Sequence, residues 1–267
     1  MAQGGRLLDE PEIVVCSNPA GVIDHAVRHL VGAARAAIAE RGRFAIALAG
    51  GSTPRPLYER LAAVPARGGI DWRRVELFWS DERCVPPDDE HSNHRLARET
   101  LLDRVPVAPE RIHRMRGEDP DAERAAAEYE RVLRWALGGS PGRPPRLDLV
   151  LLGLGPEGHT ASLFPGSSAV FESERLVAAV RHAGDPEPRL DRLTLTPPAI
   201  NAARDVVFLV SGSEKAGAVR ASLEGPRDPE RWPAQTIAPA EGRETWIVDR
   251  AAAAELSRPT RTPAGSP

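Results

Sequence analysis

LDLVLLGLGPEGHTASLFPG, residues Leu147 to Gly166, decides the fold class. After Asp148 every position up to Leu152 is apolar, the pattern of a strand covered on both faces and therefore of a mostly parallel sheet. Glycines at 153, 155 and 158 then turn the chain. On paper this Gly-x-Gly-x-x-Gly run satisfies the dinucleotide fingerprint. That fingerprint needs a sustained helix behind its third glycine, and Pro165-Gly166 cuts the segment after about two turns. The residue that matters is His159, expected at the start of a short helix just past the strand. Near neutral pH an imidazole can take a proton from water and return it to a leaving oxygen. Glu157, two residues earlier, can orient the ring and stabilise imidazolium. An isolated His is more often a helix-terminal surface residue, but the surrounding glycines make that reading less attractive here.

Outward from this strand, short apolar runs alternate with longer mixed segments. Ile13–Cys16, Phe44–Leu48, Val75–Trp79, Leu176–Val180, Val206–Val210 and Trp246–Val248 read as strands, and Ile112–Met115 as a weak one. Asn18-Pro19 reads as a cap and first turn of a helix ending near Glu40. Further helices are expected over Ser92–Leu102 and Asp121–Leu137, followed by a surface loop at Gly138–Pro145. The alternation predicts an α/β fold: an open, mostly parallel, Rossmann-like sheet with helices on both faces. One catalytic domain over residues 1–256 is expected, with a Pro/Ser/Thr-rich flexible tail at 257–267. In such sheets ligands collect beyond the C-terminal strand ends.

Three further motifs follow apolar runs. In LAGGSTPRPLYERLA (Leu48–Ala62), Gly50 and Gly51 allow a tight turn, and Ser52-Thr53 precede Pro54 at a helix start. Backbone N–H groups and two hydroxyls there favour an anion such as phosphate, although an ordinary strand–turn–helix reads equally well. The lysine of a P-loop is absent. In FWSDERCVPPDDEHSNHRLA (Phe78–Ala97), Asp81, Glu82 and Arg83 stand directly after a strand, where Arg83 can hold a phosphate or carboxylate in a bidentate pair. Loop surface is the ordinary reading of each of these charges taken alone. His91 and His94 beside Asp88 and Asp89 have loose spacing for a metal, and a solvated helix start fits them better. Cys84 has no evident partner and reads as a bystander thiol. In RLTLTPPAINAARDVVFLVSGSEKAGAV (Arg192–Val219), Lys215 falls just beyond a strand and Ser211-Gly212-Ser213.

Lys215 is singular. Of 35 basic residues 34 are arginine, so lysine survives at one position only. A compact ammonium facing a phosphate explains its retention better than an exposed helix site does, since every other exposed cation is arginine.

Composition excludes several classes. The 267 residues are 41% hydrophobic and 27% charged, ordinary globular usage, which argues against a disordered chain. Aromatics at 4% leave little for base-stacking platforms, and a formal charge of −3 offers no basic field, so nucleic acid is not expected as a partner. No apolar run approaches the roughly 18 residues of a membrane span. MAQGGRLLDE lacks a secretion signal's apolar core, and two cysteines cannot build a disulfide scaffold or a zinc site, so a cytoplasmic location is expected.

Taken together, Ala49–Pro54, Trp79–Arg83, Ser92-Asn93, Gly153–Gly166, Arg192–Asn201 and Gly212–Lys215 resemble the 6-phosphogluconolactonase family, in that family's order and across roughly Asn18 to Val248. The resemblance implies a fold related to glucosamine-6-phosphate deaminase and ribose-5-phosphate isomerase. It implies hydrolysis of 6-phospho-D-glucono-1,5-lactone to 6-phosphogluconate, the second step of the oxidative pentose phosphate pathway, without cofactor or metal. His159 would be the general base, supported by the acidic residue before Gly158. The family usually has Asp there; Glu157 adds a methylene, about 1.5 Å of reach. Gly50, Gly51, Ser52, Thr53, Asp81, Arg83, Lys215 and, more weakly, Arg192 would hold the substrate. A monomer acting on a small phosphorylated sugar lactone is the expected assembly. The alternatives are a sugar-phosphate isomerase or deaminase on the same scaffold, or a non-catalytic sugar-phosphate sensor. The deaminase carries an Asn-Glu pair shortly after its His, where this chain reads Ser162-Leu163-Phe164-Pro165 without a carboxylate. A sensor would need a partner or DNA-binding module, for which no segment is left over.

Overall fold

The structure is a computed structural model that describes residues 10–63, 69–139, 143–181 and 189–257. Six strands form one sheet in the order β1-β9-β8-β5-β2-β3: β1 (Glu12–Cys16), β2 (Phe44–Leu48), β3 (Val75–Trp79), β5 (Leu149–Leu152), β8 (Asp205–Val210) and β9 (Arg243–Asp249). Every pairing in it is parallel. Ile46 opposes Leu149 and Ala47 opposes Val150 at its centre. A second, three-stranded antiparallel sheet, β4-β7-β6, is built from β4 (Asp81–Arg83), β6 (Val177–Val180) and β7 (Arg192–Leu195).

Alternation along the strands sorts the core into two layers. Phe44, Ile46 and Leu48 of β2, with Leu149 and Leu151 of β5, face a layer with α1 (Pro19–Arg41), α2 (Pro54–Ala63) and α3 (Asn93–Thr100). Ala45, Ala47, Val150 and Leu152 face the other way, toward α4 (Ala122–Leu137) and the second sheet, with α5 (Pro197–Asn201) and α6 (Ala216–Glu224) completing that side. Alanines on the second face let Tyr129 of α4 approach closely enough for its hydroxyl to accept from the Trp79 N–H at 2.9 Å and donate to the His113 carbonyl at 3.0 Å.

Several expected elements hold closely. β2 and β3 have the expected bounds, and α1 starts behind Asn18, whose side chain accepts from the Gly21 N–H at 2.9 Å. α1 ends at Gly42, in the left-handed conformation at φ 76°. Ile112–Met115 is not a strand: Ile112 makes a single bridge to Leu77 and the chain moves on. The second sheet was not foreseen, so one face is covered by strands as well as helices. The loop expected at Gly138–Pro145 lies in part, at residues 140–142, outside the described residues, as does the expected tail beyond Ser257. Among the described residues no helix is long and apolar enough to cross a membrane.

The topology positions the site. From β2 the chain proceeds to β3 on one side, while β5 lies on β2's other side and leads to β8. The loops leaving β2 and β5 therefore diverge, opening a crevice at their C-terminal ends.

Candidate active site

That crevice is a cleft of about 270 Å³ whose walls come from the segments following β2, β3, β5 and β8. The first wall is the glycine loop. Tyr58, fully buried on α2, donates its hydroxyl to the Ala49 carbonyl at 2.6 Å and fixes the loop against the helix behind it. Gly51 has φ 97°, a conformation that a side chain would disfavour. At Gly50 a Cβ would lie 1.8 Å from Asn93 Oδ1, so the close approach of that amide requires glycine. Gly50, Gly51, Ser52 and Thr53 all line the cleft ahead of Pro54, the first residue of α2.

The second wall carries two buried carboxylates with different partners. Asp81 accepts from the Ser162 hydroxyl at 2.7 Å and from Asn93 Nδ2 at 3.2 Å, and it lines the cleft. Glu82 points away from the cleft and caps α3: it accepts from the backbone N–H of Arg83, Asn93 and His94 at 2.8, 2.7 and 2.8 Å, and from the Ser92 hydroxyl at 3.1 Å. Arg83 lines the cleft, with one nitrogen held by the His91 carbonyl.

The third wall holds the imidazole. His159 Nδ1 is 2.6 Å from Glu157 Oε1, so the glutamate side chain reaches the ring. With Nδ1–H donated to that carboxylate, Nε2 carries the free lone pair. The ring is seated against Phe164, centroids 4.9 Å apart, and over Gly155, where a Cβ would come within 1.9 Å of Nδ1. Contrary to expectation, no helix starts here. Gly158 at φ 81° and Ala161 at φ 47° interrupt helical geometry, and Thr160 and Leu163 bridge to each other instead. The Gly155 N–H bonds the His159 carbonyl at 2.8 Å, closing a tight loop.

The fourth wall is Ser211 and Lys215. Gly212, at φ 106°, donates to the Asp249 carboxylate at 3.2 Å, and a single 3-10 turn, Ser213–Lys215, leads into α6. Burial pulls the Lys215 ammonium below its ordinary value, against the opposing pull of Glu214 and Glu157. Burial pushes the Glu157 carboxyl up, but the hydrogen bond and charge of His159, with help from Lys215, outweigh it and hold Glu157 below the usual carboxylate range. Lys215, Glu157 and His159 thus share one electrostatic neighbourhood.

Of the residues expected from sequence, Gly50, Gly51, Ser52, Thr53, Asp81, Arg83, His159 and Lys215 meet in this cleft, and Glu157 stands behind the imidazole. Arg192 is not among the residues lining the cleft. Strand pairing sets Arg192 opposite Arg83, its side chain is buried, and its guanidinium is bonded to the Leu190 and Asp191 carbonyls. Asn93 and Ser211 line the cleft and were absent from the expected set. Arg83 Nε, Asn93 Oδ1 and Ser211 Oγ are all buried with no hydrogen-bond partner among the described residues. Three unmatched polar atoms around one crevice are what a polar ligand would satisfy. Both residues had a signal: Asn93 follows the helix-capping Ser92, and Ser211 follows a strand end.

Cys84 does not enter this chemistry, since burial, with Asp191 nearby, pushes its thiol up to about 11. Among the described residues no group of three or more His, Cys, Asp or Glu side chains could hold a metal ion.

Residues 17–246 match the family described as Glucosamine-6-phosphate isomerases/6-phosphogluconolactonase. A 6-phosphogluconolactonase of Mycobacterium tuberculosis is 46% identical over 236 residues, covering 86% of this chain and 92% of that protein. The solved 6-phosphogluconolactonase from Trypanosoma cruzi superposes with a TM-score of 0.85 at 30% identity, covering 95% of this chain and all of the other. The solved structure of a monomeric glucosamine-6-phosphate deaminase of the NagB superfamily superposes with a TM-score of 0.75 at 25% identity, covering 91% of this chain and 99% of the other. With residues 17–246 matched by that family and a 46% identical relative covered to 92%, the chain belongs to the glucosamine-6-phosphate isomerase/6-phosphogluconolactonase family.

Proposed function

We propose that this chain hydrolyses 6-phospho-D-glucono-1,5-lactone to 6-phosphogluconate, the second step of the oxidative pentose phosphate pathway, with His159 as general base. The observation that carries the mechanism is the Glu157–His159 pair opening onto the same cleft as the glycine loop, Arg83 and Lys215. Glu157 holds the tautomer in which Nε2 is unprotonated. Nε2 takes a proton from water as its oxygen attacks the lactone carbonyl carbon. The resulting tetrahedral oxyanion collapses, the bond to the ring oxygen breaks, and the imidazolium returns its proton to that oxygen. Water has been added across one ester bond, and the imidazole ends neutral.

Phosphate and hydroxyl recognition falls to the rest of the cleft. Ser52, Thr53 and the glycine-loop amides, with Arg83 and Lys215, supply donors and positive charge. Asp81, held by Ser162 and Asn93, offers a fixed acceptor for a sugar hydroxyl. The missing carboxylate after His159 favours lactone hydrolysis over deamination, which relies on one in its relay. Comparing freshly generated phosphogluconolactone with glucosamine 6-phosphate tests this reading. Enzyme-dependent acceleration of lactone opening over its spontaneous rate, without ammonia release from the amino sugar, is expected. The reverse pattern would transfer the chain to the deaminases.

A further inference from the structure

At the opposite, N-terminal edge of the sheet lies a second concavity of about 420 Å³, inside the range of roughly 300–1,000 Å³ typical of small-molecule sites. Arg41, Arg43, Arg143, Arg146 and Arg204 converge on it, around one buried carboxylate, Asp148. The length of β2, on the order of 15 Å, separates it from the catalytic cleft.

The charge there is not balanced from within. Asp148 Oδ1 is shared by Arg41 Nε at 3.0 Å and Arg204 Nε at 3.5 Å, and its other oxygen accepts from the Ala45 N–H at 2.8 Å. Arg43 is turned to the Ala136 and Leu137 carbonyls at the end of α4. Arg146 is held by the Ala202 carbonyl and by Glu241. Glu40 and Glu241, the other acids against these arginines, are both 72% exposed, so water screens them. The Arg143 side chain has no hydrogen-bond or ion-pair partner among the described residues. Burial, then Arg204, with Arg143 and Arg41 further down, weakens Arg146's hold on its proton against the pull of Glu241. An arginine-rich composition explains exposed guanidiniums scattered over a surface. It does not explain five around one hollow.

We propose that this cavity binds a small, multiply charged phosphoryl anion, anchored by Arg143 with help from Arg41 and Arg204. Planar guanidinium forks match phosphoryl oxygens bidentately, and a dianionic or more highly charged ligand neutralises the excess. A bounded hollow on a chain of net charge −3 suits a small ligand better than a nucleic acid.

Inorganic pyrophosphate is the probe, read by backbone amide NMR. The amides of Ala45, Gly139 and Arg204 report this cavity, while Gly51 and Gly155 report the catalytic cleft independently. Saturable shifts at the first three are expected in the wild type, with the midpoint raised at least about tenfold in Arg143→Glu and less in Arg143→Ala. Both variants alter a side chain without a hydrogen-bond or ion-pair partner among the described residues, and an unchanged spectrum elsewhere verifies the fold. Absence of saturation at those three amides, or an equal midpoint in Arg143→Glu, would overturn the assignment.

Discussion

At the scale of single residues, the imidazole is held by what its neighbours lack as much as by what they offer. Gly155 has no Cβ, and a methyl group there would occupy the space of Nδ1. Gly155→Ala should therefore displace the ring and break its bond to Glu157 while leaving the strand behind it intact. We expect kcat/KM to fall by about 10²-fold or more, the size of a lost general base, with the thermal midpoint little changed. Steady-state rates beside a melting curve check this, and full activity would detach the ring's seat from catalysis. Replacing Glu157 gives a pH signature. Its folded carboxyl is held below the usual range, so the stability it contributes is present above the unfolded value of about 4.5 and is lost as pH falls through the folded value. Wild type should thus out-melt Glu157→Gln at neutral pH, and the gap should narrow as pH falls from 4.5 through the lower folded value. Lys215→Ala should raise KM more than it lowers kcat, and poor rescue by Lys215→Arg would bear out the reading of the single lysine. A planar fork does not occupy the place of a compact ammonium.

At the scale of elements, α3 depends on a residue that does not line the cleft. Glu82 satisfies two backbone donors at the helix start, those of Asn93 and His94, and a third at Arg83, and it is only 2% exposed. Glu82→Ala would strand those donors without water, at a cost of about 2–4 kcal/mol. It would also release Asn93 from its place against Gly50, so activity should fall together with stability, as paired denaturation and rate measurements would show. This element marks where sequence reading stops. Strands such as Phe44–Leu48 are legible because local apolar runs dictate them. Asp81–Arg83 looks like solvated loop, yet it is a strand with Asp81 and Glu82 buried, because Ser92 and Asn93 fold back on it across the next loop and Ser162 and Arg192–Thr194 come from far along the chain. The same blindness explains Arg192, which the resemblance weakly assigned to substrate and which strand pairing sets, buried, opposite Arg83. The helix expected at His159 failed for a local reason, the left-handed Ala161, which no propensity at alanine announces.

At the scale of the whole molecule, function and stability sit at opposite ends of one sheet. The C-terminal strand ends carry the cleft, and the N-terminal ends carry buried charge that the proposed chemistry does not use. Glu244, near the start of β9, is the clearest case. Burial pushes its carboxyl up to about 7, with only the Trp246 indole N–H, donating at 2.7 Å, pulling the other way. Because the folded value exceeds the unfolded one, the folded state binds a proton that the unfolded chain has released. Stability is therefore full below about pH 4.5 and declines as pH rises toward and through 7. Glu244→Gln keeps an acceptor for the indole and removes the ionisation. It should raise the stability at pH 8 by up to about 3 kcal/mol, an upper bound set by the size of the shift, and change little at pH 4. Melting curves at the two pH values decide it: an equal effect at both would mean that the carboxyl is not titrating in the folded state. Turnover should stay at the wild-type level throughout, since the length of the sheet stands between this carboxyl and the imidazole.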